Sequence, residues 1–182
     1  MRTEVRLAGF GGQGIVLSGY ILGKAAAIYA DKEATMTQSY GPEARGGACA
    51  SNVVISEGPV AYPSVSRPDV LVLMSQESYH TYKGDLRPGV QVLYDPDLVK
   101  VEPGVPGTWV ACPAMTLADG LGRKIVANIV MLGFLAAVTE MLPKEAMKEA
   151  VLSSVPAHTR ELNEKAFQTG YDHGLRAKGK GG

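Results

Sequence analysis

Residues 9–14, with the sequence GFGGQG, are the part of the chain whose residue types and spacing are best suited to chemistry. An apolar run at residues 5–8 precedes them, and a helix-like stretch begins at Ile15. Glycines in such a turn let the backbone bend tightly and bring peptide N–H groups close to a ligand, and the helix start adds unpaired donors and a positive dipole end. The pattern predicts a cradle for an anion such as phosphate. The alternative is that the glycines only pack a helix against a strand.

Acidic residues are in the wrong place for this turn to hold NAD. NAD-binding domains carry an Asp or Glu about 20 residues after the glycines, at the end of the second strand, where it holds the ribose hydroxyls. Asp31 and Glu33 have that spacing, but they precede the predicted second strand at residues 34–39. NAD is therefore a minority interpretation. A small-molecule methyltransferase is the least favoured of the alternative functions, since its acidic contact to the ribose should also lie at the end of the second strand.

Residues 38–47, QSYGPEARGG, form a second glycine-rich stretch, whose composition is typical of a functional loop. Arg45 lies among small residues and could present its guanidinium group to a carboxylate or phosphate, with an ion pair to Glu43 as the alternative. In a doubly wound sheet the loops after the first and second strands open at the same edge. Gln13 and Arg45 are therefore predicted to line one crevice.

Other catalytic and metal-binding patterns are missing from the sequence. His80, His158 and His173 are scattered, and none has metal-ligand spacing. The two cysteines, Cys49 and Cys112, are too few for an iron–sulfur cluster, which usually needs four thiolates. Neither a Walker motif nor a GxSxG elbow occurs. We expect no catalytic residue and no metal site in this chain, which is predicted to bind rather than to react.

Length and charge limit the class of protein. The 182 residues suit one α/β domain, and the 18 basic and 18 acidic side chains give no general attraction to nucleic acid or to an anionic membrane. The apolar run at residues 125–138 is shorter than the stretch of about 20 residues that crosses a bilayer. It predicts a buried helix that is covered either by its own core or by another subunit. Unpaired cysteines and the lack of a signal-peptide pattern favour the cytoplasm.

Strands and helices are expected to alternate along the chain because apolar runs with the period of each follow one another. The predicted strands are residues 5–8, 34–39, 48–56, 70–74, 91–94 and 108–112. The predicted helices are residues 15–29, 116–121, 124–142, 144–153 and 159–171. Residues 1–176 are predicted to form one domain, and the low-complexity end AKGKGG, residues 177–182, a disordered tail.

Several motifs taken together resemble the gamma subunit of 2-oxoacid:ferredoxin oxidoreductases. They are GFGGQG, QSYGPEARGG, the strand at residues 53–56, PDVLVLMSQ and YDPDLV. The resemblance covers roughly residues 3–140, and the loop QSYGPEARGG looks most like the 2-oxoglutarate branch. It implies a Rossmann-like three-layer α/β sandwich, with a mostly parallel sheet and helices on both faces.

The resemblance also implies an assembly in which other subunits hold thiamine diphosphate and iron–sulfur clusters. Those subunits decarboxylate the 2-oxoacid, pass electrons to ferredoxin and deliver the acyl group to coenzyme A. The implied partners are alpha and beta subunits, with a delta subunit as a further candidate. This chain would pack on them and help to form the active-site mouth, near coenzyme A.

By the same resemblance, the isolated chain is expected to be inactive. It could also form a homodimer that buries the apolar helix surface left uncovered. Binding roles are carried over to the two glycine motifs, at Gly11, Gly12, Gln13, Gly14, Gly41, Pro42, Glu43, Arg45, Gly46 and Gly47. The alternative is a stand-alone nucleotide-binding domain of the NAD or FAD type, or a regulatory module.

Overall fold

A mixed β-sheet forms the centre of the protein in the computed structural model, which describes residues 1–40 and 48–180. Its six strands are β1 (Arg2–Phe10), β2 (Glu33–Tyr40), β3 (Ala48–Ser56), β4 (Val70–Leu73), β5 (Gln91–Tyr94) and β6 (Thr108–Ala111). The strand order is β2-β3-β1-β4-β5-β6. The strands β1, β4, β5 and β6 are parallel, whereas β3 runs antiparallel to both of its neighbours.

Helices lie on both faces of this sheet. They are α1 (Ile15–Lys24), α2 (Gln76–Tyr82), α3 (Ala114–Gly120), α4 (Ala127–Thr139), α5 (Lys144–Leu152) and α6 (Arg160–Gly179), and a π-helical turn (Ala25–Tyr29) extends α1. The larger apolar core joins one face of the sheet to α1, α3, α4, α5 and α6, and the smaller core joins the other face to α2. The predicted three-layer α/β sandwich with a mostly parallel sheet is thereby confirmed.

Strand β4 shows why the sequence predicts a sheet covered on both faces. Val70 and Val72 contribute to the larger core, and Leu71 and Leu73 to the smaller one. All four side chains are buried, as a continuous apolar run in a central parallel strand requires. Ser75, just after the strand, accepts a hydrogen bond from the backbone N–H of Ser78 at 3.1 Å and caps α2.

The expected alternation of strands and helices is wrong between β2 and β3. The two strands form an antiparallel pair, in which Tyr40 lies opposite Cys49 and Glu33 opposite Ser56. Only residues 41–47 connect them, and a parallel crossover needs a dozen residues or more. The short connection therefore forces β3 to run back beside β2, and β3 also pairs with β1.

Helix α4 is covered by its own chain. Every residue from 127 to 137 is buried, and the helix packs against α6 at very short distance. A Cβ atom at Gly133 or Gly170 would overlap the backbone of the facing helix, so only glycine permits this approach. The sequence allowed this helix to be buried either in the core of its own chain or against another subunit, and the structure shows the first of these.

The predicted helices did not include α2 at Gln76–Tyr82, and among the helices that were predicted the boundary differs most near the C-terminus. Helix α6 continues through Gly179, where we expected an end near Tyr171 and a disordered tail from Ala177. Ala177 packs against the larger core, and Lys178 pairs with Glu140, just after α4, at 2.8 Å, so tertiary contacts continue to the end of the helix. Within the described part of the chain, no helix has the length and apolar character needed to cross a membrane.

Candidate functional site at the glycine turn

The glycine motif forms the turn between β1 and α1, at the carboxyl edge of the parallel strands. Gly12 and Gly14 have φ of +89° and +74°, a backbone conformation that glycine adopts without steric cost. The N–H of Gln13 donates to the carbonyl of Phe10 at 3.2 Å, which closes the turn. Helix α1 then begins at Ile15, as the sequence predicts.

The four glycines of the turn divide into two pairs. A Cβ atom at Gly9 would overlap the side chain of Gln13, and one at Gly14 would overlap Asn128 of α4. Gly11 and Gly12 have no such neighbour within 4 Å. Gly9 and Gly14 therefore serve packing, whereas Gly11 and Gly12 leave the backbone open to an approaching molecule.

The side chain of Gln13 holds two strand ends together. Its Oε1 accepts a hydrogen bond from the N–H of Phe10 at 2.7 Å, and its Nε2 donates to the carbonyl of Met74, just after β4, at 2.9 Å. The backbone N–H of Gln13 is also used within the turn. Gln13 therefore shapes the turn. Its backbone N–H, which the cradle hypothesis assigns to a ligand, is already paired with the carbonyl of Phe10.

Two other amides of the turn remain available. Among residues 1–40 and 48–180, the N–H groups of Gly12 and Gly14 meet no hydrogen-bond acceptor. Together with the first turn of α1, they form a group of unpaired donors of the kind that binds anions. These donors have the arrangement that the predicted cradle requires, and their role in binding an anion stays a prediction.

Two cavities flank the turn and share Gly12 and Ile125. The Asn128–Asn163 cavity, about 440 Å³, lies between the turn and the amino ends of α4 and α6. The Met74–Met115 cavity, about 280 Å³, lies between the turn, the end of β4 and the start of α3. Ile125 is 70% exposed between them, so an apolar side chain stands at the shared rim of the two cavities.

Cations line the same edge. Arg123 lines the Asn128–Asn163 cavity and Lys124 the Met74–Met115 cavity, and both side chains are exposed. Neither forms an ion pair within the described part of the chain. The site therefore combines two open glycines, two unpaired amides and two unpaired cations, which together favour an anion.

The second glycine motif cannot be placed in the same way. Gly41, Pro42, Glu43, Arg45, Gly46 and Gly47 lie outside the described residues, so the predicted crevice between Gln13 and Arg45 stays a prediction. The strands on either side of it are described. Ala48 is paired with Phe10, so β3 begins at the edge where β1 ends and the glycine turn starts.

Asp31 and Glu33, which the sequence analysis excluded as a ribose clamp, lie at the edge of the sheet opposite to the glycine turn. Glu33 is paired with Ser56, which is itself paired with Arg2 at the start of β1. A strand of this length spans roughly 25 Å at 3.3 Å per residue. Asp31 and Glu33 are therefore too far from the glycine turn to contact a ligand there.

Buried ionisable groups near the site are structural. Cys49, opposite Gly9, and Cys112 are both buried, and burial raises the pKa of each thiol, which keeps it protonated and unreactive. Asp95 after β5 is fully buried, and its carboxylate accepts the N–H groups of Asp97 and Met115 at 2.9 and 2.8 Å. In the described ranges, no three His, Cys, Asp or Glu side chains lie close enough to hold a metal ion.

Sequence reasoning missed the residues that the site receives from distant parts of the chain. They are Arg123, Lys124, Asn128, His158 and Asn163. One signal was available for Asn128, a polar residue inside the most apolar run of the sequence. The others carry no local pattern and are recognised only once α4 and α6 are placed beside the glycine turn.

The sheet order, the glycine turn and its flanking helices define a Rossmann-like domain. The model of the family described as "Pyruvate ferredoxin/flavodoxin oxidoreductase" matches residues 4–173, and the chain belongs to this family. The resemblance to 2-oxoacid:ferredoxin oxidoreductases given by the sequence motifs is confirmed.

Individual relatives point to the gamma-type subunit. The chain is 53% identical over 175 residues to 2-oxoglutarate synthase subunit KorC of Methanocaldococcus jannaschii, covering 94% of each chain. It is also similar to the keto/oxoacid ferredoxin oxidoreductase gamma subunit of Geobacter sulfurreducens, with 45% identity, a TM-score of 0.89, and 97% and 98% of the two chains covered. Ketoisovalerate oxidoreductase subunit VorA of Methanothermobacter marburgensis is 34% identical, and the match covers 93% of this chain but 36% of VorA.

Proposed function

We propose that this chain is the gamma subunit of a coenzyme A-acylating 2-oxoglutarate:ferredoxin oxidoreductase. Its alpha and beta partners, with a delta subunit as a further candidate, would hold thiamine diphosphate and the iron–sulfur clusters. This chain packs on them in the cytoplasm with the glycine-turn edge and helps to form the active-site mouth. The observation that carries the proposal is the surface at Gly11, Gly12 and Ile125, which is open and apolar and has unpaired cations beside it.

The composition of this surface supports a docking role. An exposed isoleucine beside two cavities gives apolar contact area, while Arg123 and Lys124 supply charge that the chain itself does not neutralise. Protein interfaces commonly combine an apolar centre with charged residues around it. A partner surface with an apolar side chain and carboxylates would complement this edge.

The 2-oxoglutarate branch of the family is proposed from the sequence identities to the relatives. The 53% identity to a 2-oxoglutarate synthase subunit is well above the 34% to a ketoisovalerate subunit and the 29% to a pyruvate synthase subunit of Methanocaldococcus jannaschii. We therefore assign 2-oxoglutarate as the substrate of the whole assembly. We assign the chemistry itself to the partner subunits, as the resemblance to the family implies.

Reconstitution tests assembly and substrate together. The chain is co-expressed with the thiamine- and cluster-binding subunits encoded beside it, and coenzyme A-dependent reduction of ferredoxin is measured with 2-oxoglutarate, pyruvate and 2-oxoisovalerate. We expect activity only with the full set of subunits and a preference for 2-oxoglutarate. Turnover by the isolated chain, or assembly without any such activity, would contradict the proposal.

An interface variant tests the docking edge. Ile125→Glu places a charge in the proposed apolar contact, and we expect loss of co-purification with the partners. Tyr62→Glu is the matched control, because Tyr62 is 73% exposed but lies away from the glycine turn. Equal co-purification of both variants would show that another surface docks.

Contact with coenzyme A is tested separately on the assembled protein. Isothermal titration with coenzyme A compares wild type with Arg45→Ala and Lys124→Gln, and weaker binding in either variant is expected. Unchanged affinity in both would leave these residues with a docking role only.

The stand-alone nucleotide-binding function is the second candidate. If NAD or FAD bound the isolated folded chain, it would raise the melting temperature. The distance of Asp31 and Glu33 from the glycine turn argues against NAD, since neither of these two acidic residues lies where a ribose clamp is needed.

A further inference from the structure

Strand β2 forms an edge of the sheet without the features that usually keep an edge strand from pairing with another chain. Within residues 1–40 and 48–180, no strand pairs with its outer side, and the backbone groups that residues 33–37 turn outward meet no partner. Residues 34–39 contain no charge, no proline and no glycine. Charges, prolines, bulges and short length are the usual means of blocking an edge. This edge is therefore open to another strand.

The opposite edge of the sheet shows the contrast. Strand β6 has four residues, and Gly107 and Pro113 lie close to its two ends. Strand β2 has eight residues, so about four of them direct their N–H and carbonyl groups outward. Of the two edges of this sheet, β2 thus has the length and the composition to hold a partner strand.

Helix α1 leaves a stripe of its surface uncovered on the same side of the molecule. It packs on β3 and β2 beneath it and on α4 and α5 beside it. Ser18 faces α4, where it lines a small cavity with Met131. Val16, Tyr20 and Ala27 follow one another at helical spacing on the side of the helix opposite to Ser18, and Tyr20 is 53% exposed. This stripe carries no charge and is directed away from α4 and α5.

One symmetry operation covers the open edge and the stripe together. A two-fold axis perpendicular to the sheet pairs β2 with β2 of a second copy in antiparallel direction and keeps both α1 helices on one face. With strands about 4.8 Å apart, helices above β2 and β3 come to lie roughly 10 Å from each other, an ordinary distance for packed helices. An extended peptide, by contrast, pairs with the strand but leaves the stripe uncovered. The two features together therefore fit a second copy of this chain.

We propose that a second copy docks here, with β2 paired to its copy in an antiparallel register centred on Met36 and α1 packed against its copy. In this register Thr35 lies opposite Thr37 of the copy, and Thr–Thr pairs stabilise neighbouring strands. Met36, which packs against the larger core, meets its own copy beneath the two helices. Glu33 lies opposite Ser39 of the copy, so the register places no two acids opposite each other.

Charge does not oppose this pairing. The chain carries 18 acidic and 18 basic side chains, so two copies have no net repulsion. Lys32, just before β2, pairs with Glu57 of its own chain at 3.5 Å. The sequence-based homodimer was expected to cover an apolar helix, but α4 is covered by its own chain, and β2 and α1 provide the surface instead.

The glycine-turn edge stays open in this dimer. Strand β1, which leads into the turn, is separated from the two-fold axis by β3 and β2. Because the paired strands run in opposite directions, the glycine turns of the two copies lie toward opposite ends of the dimer. The inference therefore does not rest on the proposed function.

The mass of the isolated full-length chain in solution is the first test. Sedimentation equilibrium over a concentration series should give a mass that rises from 19.2 kDa toward twice that value. Tyr20→Glu places a charge in the contact between the helices and should raise the dissociation constant of the dimer about tenfold or more. Leu175→Glu on α6, where Leu175 is 48% exposed, is the control and should leave that constant unchanged. A wild-type chain that stays monomeric, or equal effects of the two substitutions, would overturn the proposal.

Cysteine pairs test the strand register. Thr35→Cys and Thr37→Cys are made in separate chains, because the register centred on Met36 places the two positions opposite each other across the axis. In a dimer of one variant alone, the two thiols are diagonal neighbours about 7 Å apart, which is too far for an unstrained disulfide. Under mild oxidation the mixture should therefore form linked dimers about fivefold faster, or more, than either variant alone. Cys49 and Cys112 are buried and give no background. Equal rates, or no linkage in a mixture that is dimeric by mass, would refute the pairing of β2.

Discussion

Nδ2 of Asn128 donates to the carbonyl of Gly14 at 3.3 Å and thereby ties the amino end of α4 to the glycine turn. The same carbonyl accepts the N–H and the hydroxyl of Ser18, at 2.9 and 2.8 Å. Gly14 is thus the point where β1, α1 and α4 meet. Both cavities are lined by Gly12, two residues before Gly14, and by Ile125, three residues before Asn128. The shape of both cavities therefore depends on the contact between Gly14 and Asn128.

Gly14→Ala should destabilise the protein strongly. Alanine would be held at a φ of +74°, and its Cβ would overlap the carboxamide of Asn128. We expect a loss of about 2–4 kcal/mol in the free energy of unfolding, measured in urea. Gly23→Ala is the matched control in α1, because its Cβ would enter open space; it should gain about 0.5–1 kcal/mol. Similar losses in both variants would contradict this role of Gly14.

Gln13→Glu tests the bridge between β1 and β4. Glutamate can still accept the N–H of Phe10, but its second oxygen would face the carbonyl of Met74. We expect a loss of about 1–3 kcal/mol at pH 7. Protonation restores a donor, so the pKa of this carboxyl is expected to rise in the folded state, and the loss should shrink as the pH falls toward about 4, near the unfolded value. A deficit that does not change with pH would argue against the bridge.

Asp95 should make the free energy of unfolding depend on pH in the sense opposite to that of an acid whose pKa is lowered by folding. Burial raises its pKa, and the N–H groups of Met115 and Asp97 offset only part of that shift. Because the folded pKa is the higher one, the favourable contribution is complete below the unfolded value of about 3.9 and is lost as the pH rises through the folded pKa. Urea unfolding of wild type and Asp95→Asn from pH 4 to 7 should show the advantage of wild type falling with rising pH. An advantage that grows with pH would refute this sign.

Local sequence patterns predict most elements but not the strand direction in the hairpin. The run Val70–Leu73 and the glycine turn before Ile15 contain their own signals, in apolar continuity and in residue types that only certain backbones tolerate. The direction of β3 follows from its pairing with β1, which is separated from it by about 40 residues and has no local signature. Only the shortness of the 41–47 connection indicates it.

The candidate site was predictable only in the part that one motif supplies. Gly11, Gly12 and Gly14 follow from the glycine spacing, whereas Arg123 and Asn163 come from more than 100 residues further along the chain. Gly170 and Gly174 lower the helix propensity near the predicted end of α6. The helix nevertheless continues, because these glycines permit close packing on α4. Tertiary contact overrides local preference at those positions.

Arg6 provides the last prediction, on the opposite face of the sheet. This guanidinium is 8% exposed; Nε donates to Oδ1 of Asn52 at 2.7 Å, Nη2 donates to the carbonyl of Val65 at 2.5 Å, and the group lies 4.6 Å from the centre of the Tyr82 ring. Burial lowers its pKa, although the group remains charged.

Arg6→Lys keeps the charge but cannot span two acceptors and stack on a ring, so we expect a loss of about 3 kcal/mol in the free energy of unfolding. Arg2→Lys, at the exposed end of the same strand, should change it by less than about 1 kcal/mol, since exposed ion pairs contribute little. Equal effects of the two substitutions would mean that the buried contacts of Arg6 do not hold β1, β3 and the segment around Val65 together.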